Sequence, residues 1–333
     1  MATTLSEPGT KTATSPAPEP GTAEVVVSAR GLTKRYGELV ALTDLDLDIR
    51  RGEIFALLGP NGAGKTTFIS IVAGLVKKSA GQVTVLGWDV ERDYRLTRRN
   101  IGLVPQEINF DPFFTVKEVL RFQRGYFGLP RDDARIEELL RALDLHHKRD
   151  TNTRALSGGM KRRLLIAKAL VHDPPIVFLD EPTAGVDVEL RRDLWNYVRR
   201  RRAEGTTFIL TTHYLEEAEQ LADRIGVIDH GRLLIVDETA RLIDRLGRHR
   251  MVVAVRAPLA AAPPALAELG VVLGEGGTRL EFTYSSQDTA AVPRLLEALV
   301  KSGLELADLR SERASLEQIF VELIRQKRGA PHP

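Results

Sequence analysis

Cysteine is absent from all 333 residues of the chain. Disulfides, thiolate metal sites and thiol nucleophiles are thereby excluded, and a reducing compartment is permitted. An excess of one charge is lacking too. Lysine and arginine total 47 against 45 acidic residues, a formal net charge of +2, which argues against a dedicated nucleic-acid surface. No apolar run approaches the roughly 18–20 residues that a membrane-spanning helix needs. Residues 1–22 carry neither the basic nor the apolar region of a secretory signal. They form a Thr-, Ala-, Pro-, Glu- and Gly-rich tail with nothing to bury, expected to be disordered over 1–23. Histidines are scattered, and the adjoining His146 and His147 would diverge on a helix, which reads as a solvated pair rather than a metal site. A cytoplasmic chain is expected.

What is present suits a globular protein: 43% hydrophobic and 28% charged residues, over a length that allows one large domain and a smaller one. Val25 to Ala29 reads as a strand. Asp44 to Ile49 alternates, with Leu45, Leu47 and Ile49 on one face and three aspartates on the other. Ile54 to Leu58 is continuously apolar, the pattern of a strand buried on both faces, and a helical pattern from Lys65 to Ala73 follows a glycine-rich loop. Further strands are expected at Val83–Leu86, Ile101–Val104, Ile176–Leu179, Thr206–Thr211 and Ile225–Asp229. Helices are expected over about 107–171, with Thr115 and Ser157 as caps, and again at Glu189–Ala203 and Tyr214–Leu221. This order predicts an α/β domain over 24–246, its largely parallel sheet interrupted by a helical insertion. From 247 to 333 the pattern becomes that of a small α+β domain ending in an amphipathic helix, Ser315–Arg325.

The strongest motif is Gly59-Pro60-Asn61-Gly62-Ala63-Gly64-Lys65-Thr66, a complete G-x-x-x-x-G-K-[ST] between strand and helix. Phosphates need a cradle of backbone N–H donors, which glycine permits, and a helix N-terminus to face. Lys65 supplies a mobile positive charge and Thr66 a hydroxyl for Mg²⁺. Asp180 and Glu181 emerge from a buried strand at its carboxyl end, where ligands bind in open α/β sheets. Asp180 is placed to hold Mg²⁺, and Glu181 to orient and deprotonate water. His213 ends the next strand, either as a structural histidine or in contact with the γ-phosphate. Gln106 offers an amide at the same edge or is a polar loop residue. Leu156-Ser157-Gly158-Gly159-Met160 opens a basic helix, with Ser157 as its cap. Two glycines weaken a helix start but expose N–H groups, a second anion site in a chain that already has one.

With these segments in this order, residues 24–246 resemble the nucleotide-binding domain of ABC transporters. The resemblance rests on the phosphate loop, Gln106, the signature at Leu156–Met160, Asp180-Glu181, the D-loop Ala184–Asp187 and His213. It implies an ATPase using ATP and Mg²⁺, with Gly59 to Thr67 holding the phosphates and Tyr36 stacking on adenine. Without a ligand, Tyr36 reads equally as a half-buried strand aromatic. The resemblance further implies catalytic roles for Glu181, His213 and Gln106 and metal contacts from Thr66, Gln106 and Asp180. Ser157, Gly158 and Gly159 would cap the nucleotide of a second copy, with Asp187 linking the two sites. The partner would be a separate permease that keeps this homodimer on the cytoplasmic face of the membrane.

The signature carries Met160 where glutamine is usual. That form, with the tail segment Ser315–Phe320, resembles the ABC-2 branch of drug-resistance and nodulation-factor exporters. A cytosolic ABC ATPase without a membrane partner, and a P-loop kinase or GTPase, are the rival classes. The signature and His213 would be pointless in the kinase or GTPase. Phe110, Phe113 and Phe114 form an aromatic segment expected to offer a groove to a permease helix, or to pack between subdomains. Arg199–Arg202 closes a helix, where cations suit the dipole, and reads as a solvated end. The C-terminal module reads as a ligand-binding or regulatory unit or as a dimerisation clamp.

Overall fold

The computed structural model describes residues 24–108, 110–183, 188–212, 214–246, 248–274, 276–285, 288–312, 316–317 and 319–320. The chain opens with a long antiparallel hairpin, β1 (Val25–Tyr36) and β2 (Leu39–Arg50), followed by β3 (Ile54–Leu58), helix α1 (Lys65–Val72) and β4 (Ala80–Val85). Then come β5 (Trp88–Asp89), α2 (Tyr94–Arg99) and β6 (Ile101–Val104). The helical insertion supplies α3 (Val116–Tyr126), α4 (Asp133–Ala142) and α5 (Gly158–Leu170). The α/β alternation resumes with β7 (Ile176–Asp180), α6 (Val188–Ala203), β8 (Thr207–Thr211), α7 (Leu215–Leu221), β9 (Arg224–Asp229), β10 (Arg232–Glu238) and α8 (Thr239–Leu246). The last unit contains β11 (Arg248–Val255), α9 (Pro264–Ala267), β12 (Val272–Leu273), β13 (Arg279–Ser285), α10 (Ala291–Ser302) and β14 (Leu306–Glu312).

Three sheets result. One is antiparallel, in the order β2-β1-β4-β5. The central one runs β10-β9-β3-β8-β7-β6, parallel throughout except for the β9–β10 hairpin. The third, β12-β13-β11-β14, is antiparallel. The central strands are apolar because both faces are covered. Along β3, Phe55 and Leu57 face the core shared with the hairpin and α1, whereas Ala56 and Leu58 face α7 and α8. The insertion builds its own core, with Leu120, Ile136, Leu140 and Leu164 all fully buried. Its helix starts are well capped. Thr115 and Glu118 form a reciprocal capping box, Asp132 caps α4, and the Ser157 hydroxyl accepts from the Met160 N–H at 3.3 Å.

The hairpin is longer than the expected strands Val25–Ala29 and Asp44–Ile49. Register shifts on both sides of Leu32, next to left-handed Gly31, break the two-residue alternation that would mark it as one strand. Strand β14 was not expected at all: its described side chains are exposed, and it lies at a sheet edge. The aromatic segment divides. Phe113 stands 82% exposed, whereas Phe114 packs against the insertion core with its ring 4.7 Å from that of Phe122, and Phe110 also packs there. The run Arg199–Arg202 is a solvated helix end, as expected: Arg199, Arg200 and Arg202 are exposed, and only Arg201, paired with Asp173 and Glu204, is partly covered.

Of the expected final helix, Leu316, Glu317, Ile319 and Phe320 are described, and they are helical. Leu316 and Ile319 are 1% and 2% exposed, packed not on the third sheet but among Ala218, Ala222, Ile225 and Leu242. The Leu316 N–H donates to the Glu219 carboxylate at 3.1 Å. Leu316→Ala should therefore lower stability by about 2–5 kcal/mol, as core truncations do, in chemical denaturation of the full chain. A loss below about 0.5 kcal/mol, typical of surface sites, would contradict this packing.

Candidate nucleotide site

The candidate site lies at the carboxyl ends of the parallel strands. Between β3 and α1 the chain turns through Gly62 (φ +79°) and Gly64 (φ +107°), both in a region that side chains rarely adopt. Space is as restrictive as conformation at two glycines. A Cβ on Gly59 would meet the Ile228 carbonyl at 2.3 Å, and one on Gly64 the Ala41 carbonyl at 2.6 Å. The loop is buttressed from behind, where the Gly231 N–H donates to the Ala63 carbonyl and the Thr43 N–H to the Gly231 carbonyl, each at 2.9 Å. The result is a backbone cradle opening a helix.

Lys65 is buried, with its ammonium donating to the carbonyls of Gly59 at 2.8 Å and Pro60 at 3.1 Å. Burial pushes its pKa down, opposed by the negative charges of Glu181 and Asp180. Both acids thus lie near enough to act on its charge. Asp180 ends β7, buried, and accepts a hydrogen bond from the Thr211 hydroxyl. Glu181 follows in a left-handed conformation, φ +48°, with its N–H donating to both the carbonyl and the hydroxyl oxygen of Thr211 at 3.1 Å. The Gln106 amide donates to the Glu181 carboxylate at 3.4 Å.

A cavity of about 750 Å³ brings together Tyr36, Asn61 to Thr67, Gln106, Glu181 and His230. Gly59 and Pro60 stand behind it as partners of Lys65. Tyr36 is 46% exposed on the rim, with the Lys34 ammonium 4.5 Å from its ring centroid. Ser157, Gly158 and Gly159 do not line this cavity. They form the open N-terminus of α5, with Ser157 and Gly158 exposed and no atom within 4 Å of a Cβ built on either glycine. His213, Asp187 and the segment 184–187 lie outside the described residues.

Sequence reasoning missed four residues here. His230 lines the cavity from the β9–β10 turn, and Thr211 fixes Asp180 and Glu181. Buried Glu217 accepts from the hydroxyls of Thr183 and Thr212, each at 3.0 Å, and so holds the residues that precede 184–187 and His213. Arg162 is also buried. Its signal was its place in the apolar stripe of α5, three, four and seven residues before Leu165, Ile166 and Ala169.

The residues fit a nucleoside triphosphate and its cation. At Gly59 and Gly64 the cradle leaves room only for backbone, and a threonine hydroxyl, an amide and a carboxylate are the oxygen donors a hard cation takes. Among the described residues no group of three or more histidines or acids could hold a metal ion. Fold and site together define a P-loop nucleoside triphosphatase.

Comparison with known proteins narrows the class. The profile of the ABC transporter family matches residues 42–184. A daunorubicin resistance ATP-binding protein from Streptomyces coeruleorubidus is 38% identical over 304 residues, 90% of this chain and 96% of its own. A Nod factor export ATP-binding protein from Ralstonia nicotianae is 38% identical over 314 residues, 92% of this chain and 96% of its own. Among solved structures, the ATP-binding subunit of an ABC transporter aligns with TM-score 0.61 at 28% identity, covering 65% of this chain and 91% of that one. A dimeric ATP-binding cassette in a post-hydrolysis state, with ADP and phosphate, gives TM-score 0.59 at 28% identity over 64% of this chain and 98% of its own. The chain belongs to the ABC transporter family, as one of its ATP-binding, ATP-hydrolysing subunits. Of these two solved structures, the first is by title a subunit of a transporter and the second a dimer. Among the described residues no helix is long and apolar enough to cross a membrane.

The loop's geometry separates two glycines. Gly62→Ala meets open space and should cost about 1–2 kcal/mol of left-handed strain. Gly64→Ala adds contacts with Ala41 and Leu42 below 3 Å and should cost more, by denaturant titration, and weaken ATP binding as well. Equal costs would show that the loop yields at Gly64.

Proposed function

We propose that the chain drives an ABC-2-type exporter, as half of an ATP-sandwiched homodimer held by a separate permease on the cytoplasmic face of the membrane. Residues 24–246 act as the ATPase domain and 247–333 as a small appended domain. Support for the exporter branch comes from the two full-length relatives, one concerned by name with daunorubicin resistance and the other with Nod factor export. The observation that carries the sandwich is a division of the chemistry. The loop, Gln106 and Glu181 line one cavity, whereas Ser157, Gly158 and Gly159 stand open outside it. A helix start with unsatisfied N–H groups serves an anion held by another molecule.

In this reading Gly59 to Thr67 wrap the phosphates and Lys65 turns from its loop carbonyls to the γ-phosphate. Tyr36 stacks on the adenine. Glu181 orients the attacking water and takes its proton, in an in-line displacement that relies on positioning and charge. Thr66, Gln106 and Asp180 would hold Mg²⁺, whose charge, when bound, offsets that building on the phosphate oxygens. His213 and Asp187 are assigned the γ-phosphate contact and the inter-protomer link by resemblance alone. Loss of the γ-phosphate then removes what holds the two copies together.

Glu181→Gln should cut turnover by about 10²–10⁴-fold, the usual worth of a positioned base, while an ATP-dependent dimer accumulates. Steady-state ATPase assays and light scattering read both effects, and a fully active variant would remove Glu181 from the role. Phe113, exposed in the segment that opens the insertion, is the proposed permease contact. Phe113→Asp should leave folding and ATP binding intact but release the chain from solubilised membranes in which the wild type is retained. Retention of the variant with its permease would refute that contact.

A further inference from the structure

Arg162 is 2% exposed, on the second turn of α5, and all its hydrogen bonds end on backbone carbonyls. Nε donates to Pro182 at 3.0 Å. One terminal nitrogen donates to Pro105 at 2.8 Å and Gln106 at 2.9 Å, and the other to Asp180 at 3.0 Å and to Glu181. A guanidinium has five N–H donors in one rigid plane, and these five contacts can use them all. Burial pushes its pKa down, and the charges of Asp180 and Glu181 oppose that shift. So costly a group is out of place in a packing role, which an apolar side chain would fill without desolvating a charge.

The carbonyls it gathers belong to two segments. Strands β6 and β7 pair in parallel up to Val104 and Leu179, so their continuations leave the sheet side by side. Arg162 ties those exits together at Pro105-Gln106 and at Asp180-Glu181-Pro182. Glu181 lies between two anchors. Thr211 holds its N–H and Arg162 its carbonyl, about a residue kept in a left-handed conformation that side chains disfavour. A carboxylate three bonds from that backbone is aimed by it.

We propose that Arg162 is a positioning residue for hydrolysis: from the signature helix it holds the backbone of Glu181 and Gln106, and thereby ties the helix start that faces the partner's nucleotide to the base acting on the chain's own. Ser157 and Arg162 are five residues apart on one rigid helix, about 7.5 Å along its axis. A shift of the Ser157 end carries the guanidinium with it. Closure of the dimer then adjusts the aim of Glu181 through contacts that touch neither nucleotide. The inference rests on Glu181 being the base.

The test uses the full-length chain and three variants, Arg162→Gln, Arg162→Lys and Glu181→Gln. Steady-state kinetics give kcat and KM, calorimetric titration of ATP without Mg²⁺ gives affinity, and thermal melting gives stability. Arg162→Gln should lower kcat roughly 10²-fold, the scale of a 1 Å misplacement, with ATP affinity unchanged. Arg162→Lys keeps the charge but not the planar fork, and should recover part of kcat. Affinity, kcat and melting temperature falling together in both Arg162 variants would mean a merely structural role and overturn the proposal. So would wild-type kcat in both, provided Glu181→Gln is inactive. If Arg162→Gln does not fold, Arg162→Lys decides alone by its split between kcat and affinity. A fully active Glu181→Gln would instead refute the reading of the base on which the inference stands.

Discussion

The functional edge of this molecule hangs on the parallel pairing of β7 with β8, which sets Asp180 beside Thr211. That register brings one threonine to two carboxylate residues. Its hydroxyl donates to Asp180, and its carbonyl and hydroxyl oxygens accept the Glu181 N–H. Strand β8 also pairs with β3, whose end begins the phosphate loop. A slip of the β7–β8 register would therefore separate the acids from the loop without changing a residue. Strands buried on both faces resist such a slip, because apolar residues on either side already fill their places.

Around this edge the protein buries charges and answers each with fixed polar groups. Lys65 meets loop carbonyls, Glu217 meets two hydroxyls and Arg191, and Arg162 meets backbone carbonyls alone. Such groups do little for stability, since desolvation offsets much of the attraction. They fix geometry instead. Glu217 and Arg162 tie together segments distant in sequence, and each of those segments borders the nucleotide cavity or leads to a residue that resemblance assigns to it. Glu181, in the same place, is kept in a left-handed conformation by the contacts of Thr211 and Arg162 on either side of it.

What could be read from the sequence follows from the range of the interaction concerned. The loop 59–66 and the acids 180–181 were legible because their chemistry needs contiguous residue types at fixed spacing. The central strands were legible because burial on both faces leaves unbroken apolar runs, as in Ile54–Leu58. The full hairpin was not, since the bulge beside Gly31 interrupts alternation while hydrogen bonding continues. Arg162 was hidden in a basic run, Lys161–Arg163, that reads as solvated. Only the fold shows that its neighbour Arg163 reaches exposed Asp144 while Arg162 turns inward. The aromatic segment was half legible: the pattern marks three phenylalanines, but only tertiary packing decides that Phe114 meets Phe122 and Phe113 does not turn in.

The end of the chain bears on this edge as well, through α7. This helix begins two residues after His213 and carries Glu217, which holds Thr183 and Thr212. Its Ala218 and the following Ala222 receive Leu316 and Ile319, and its Glu219 accepts the Leu316 N–H. One short helix thus carries, on neighbouring residues, a polar latch on Thr183 and Thr212 and the apolar dock of the returning tail. A tail that left this dock would expose two alanines and two large aliphatic side chains at once, so it should leave only with help from a competing surface. Any motion of α7 that accompanies hydrolysis must then move the tail with it.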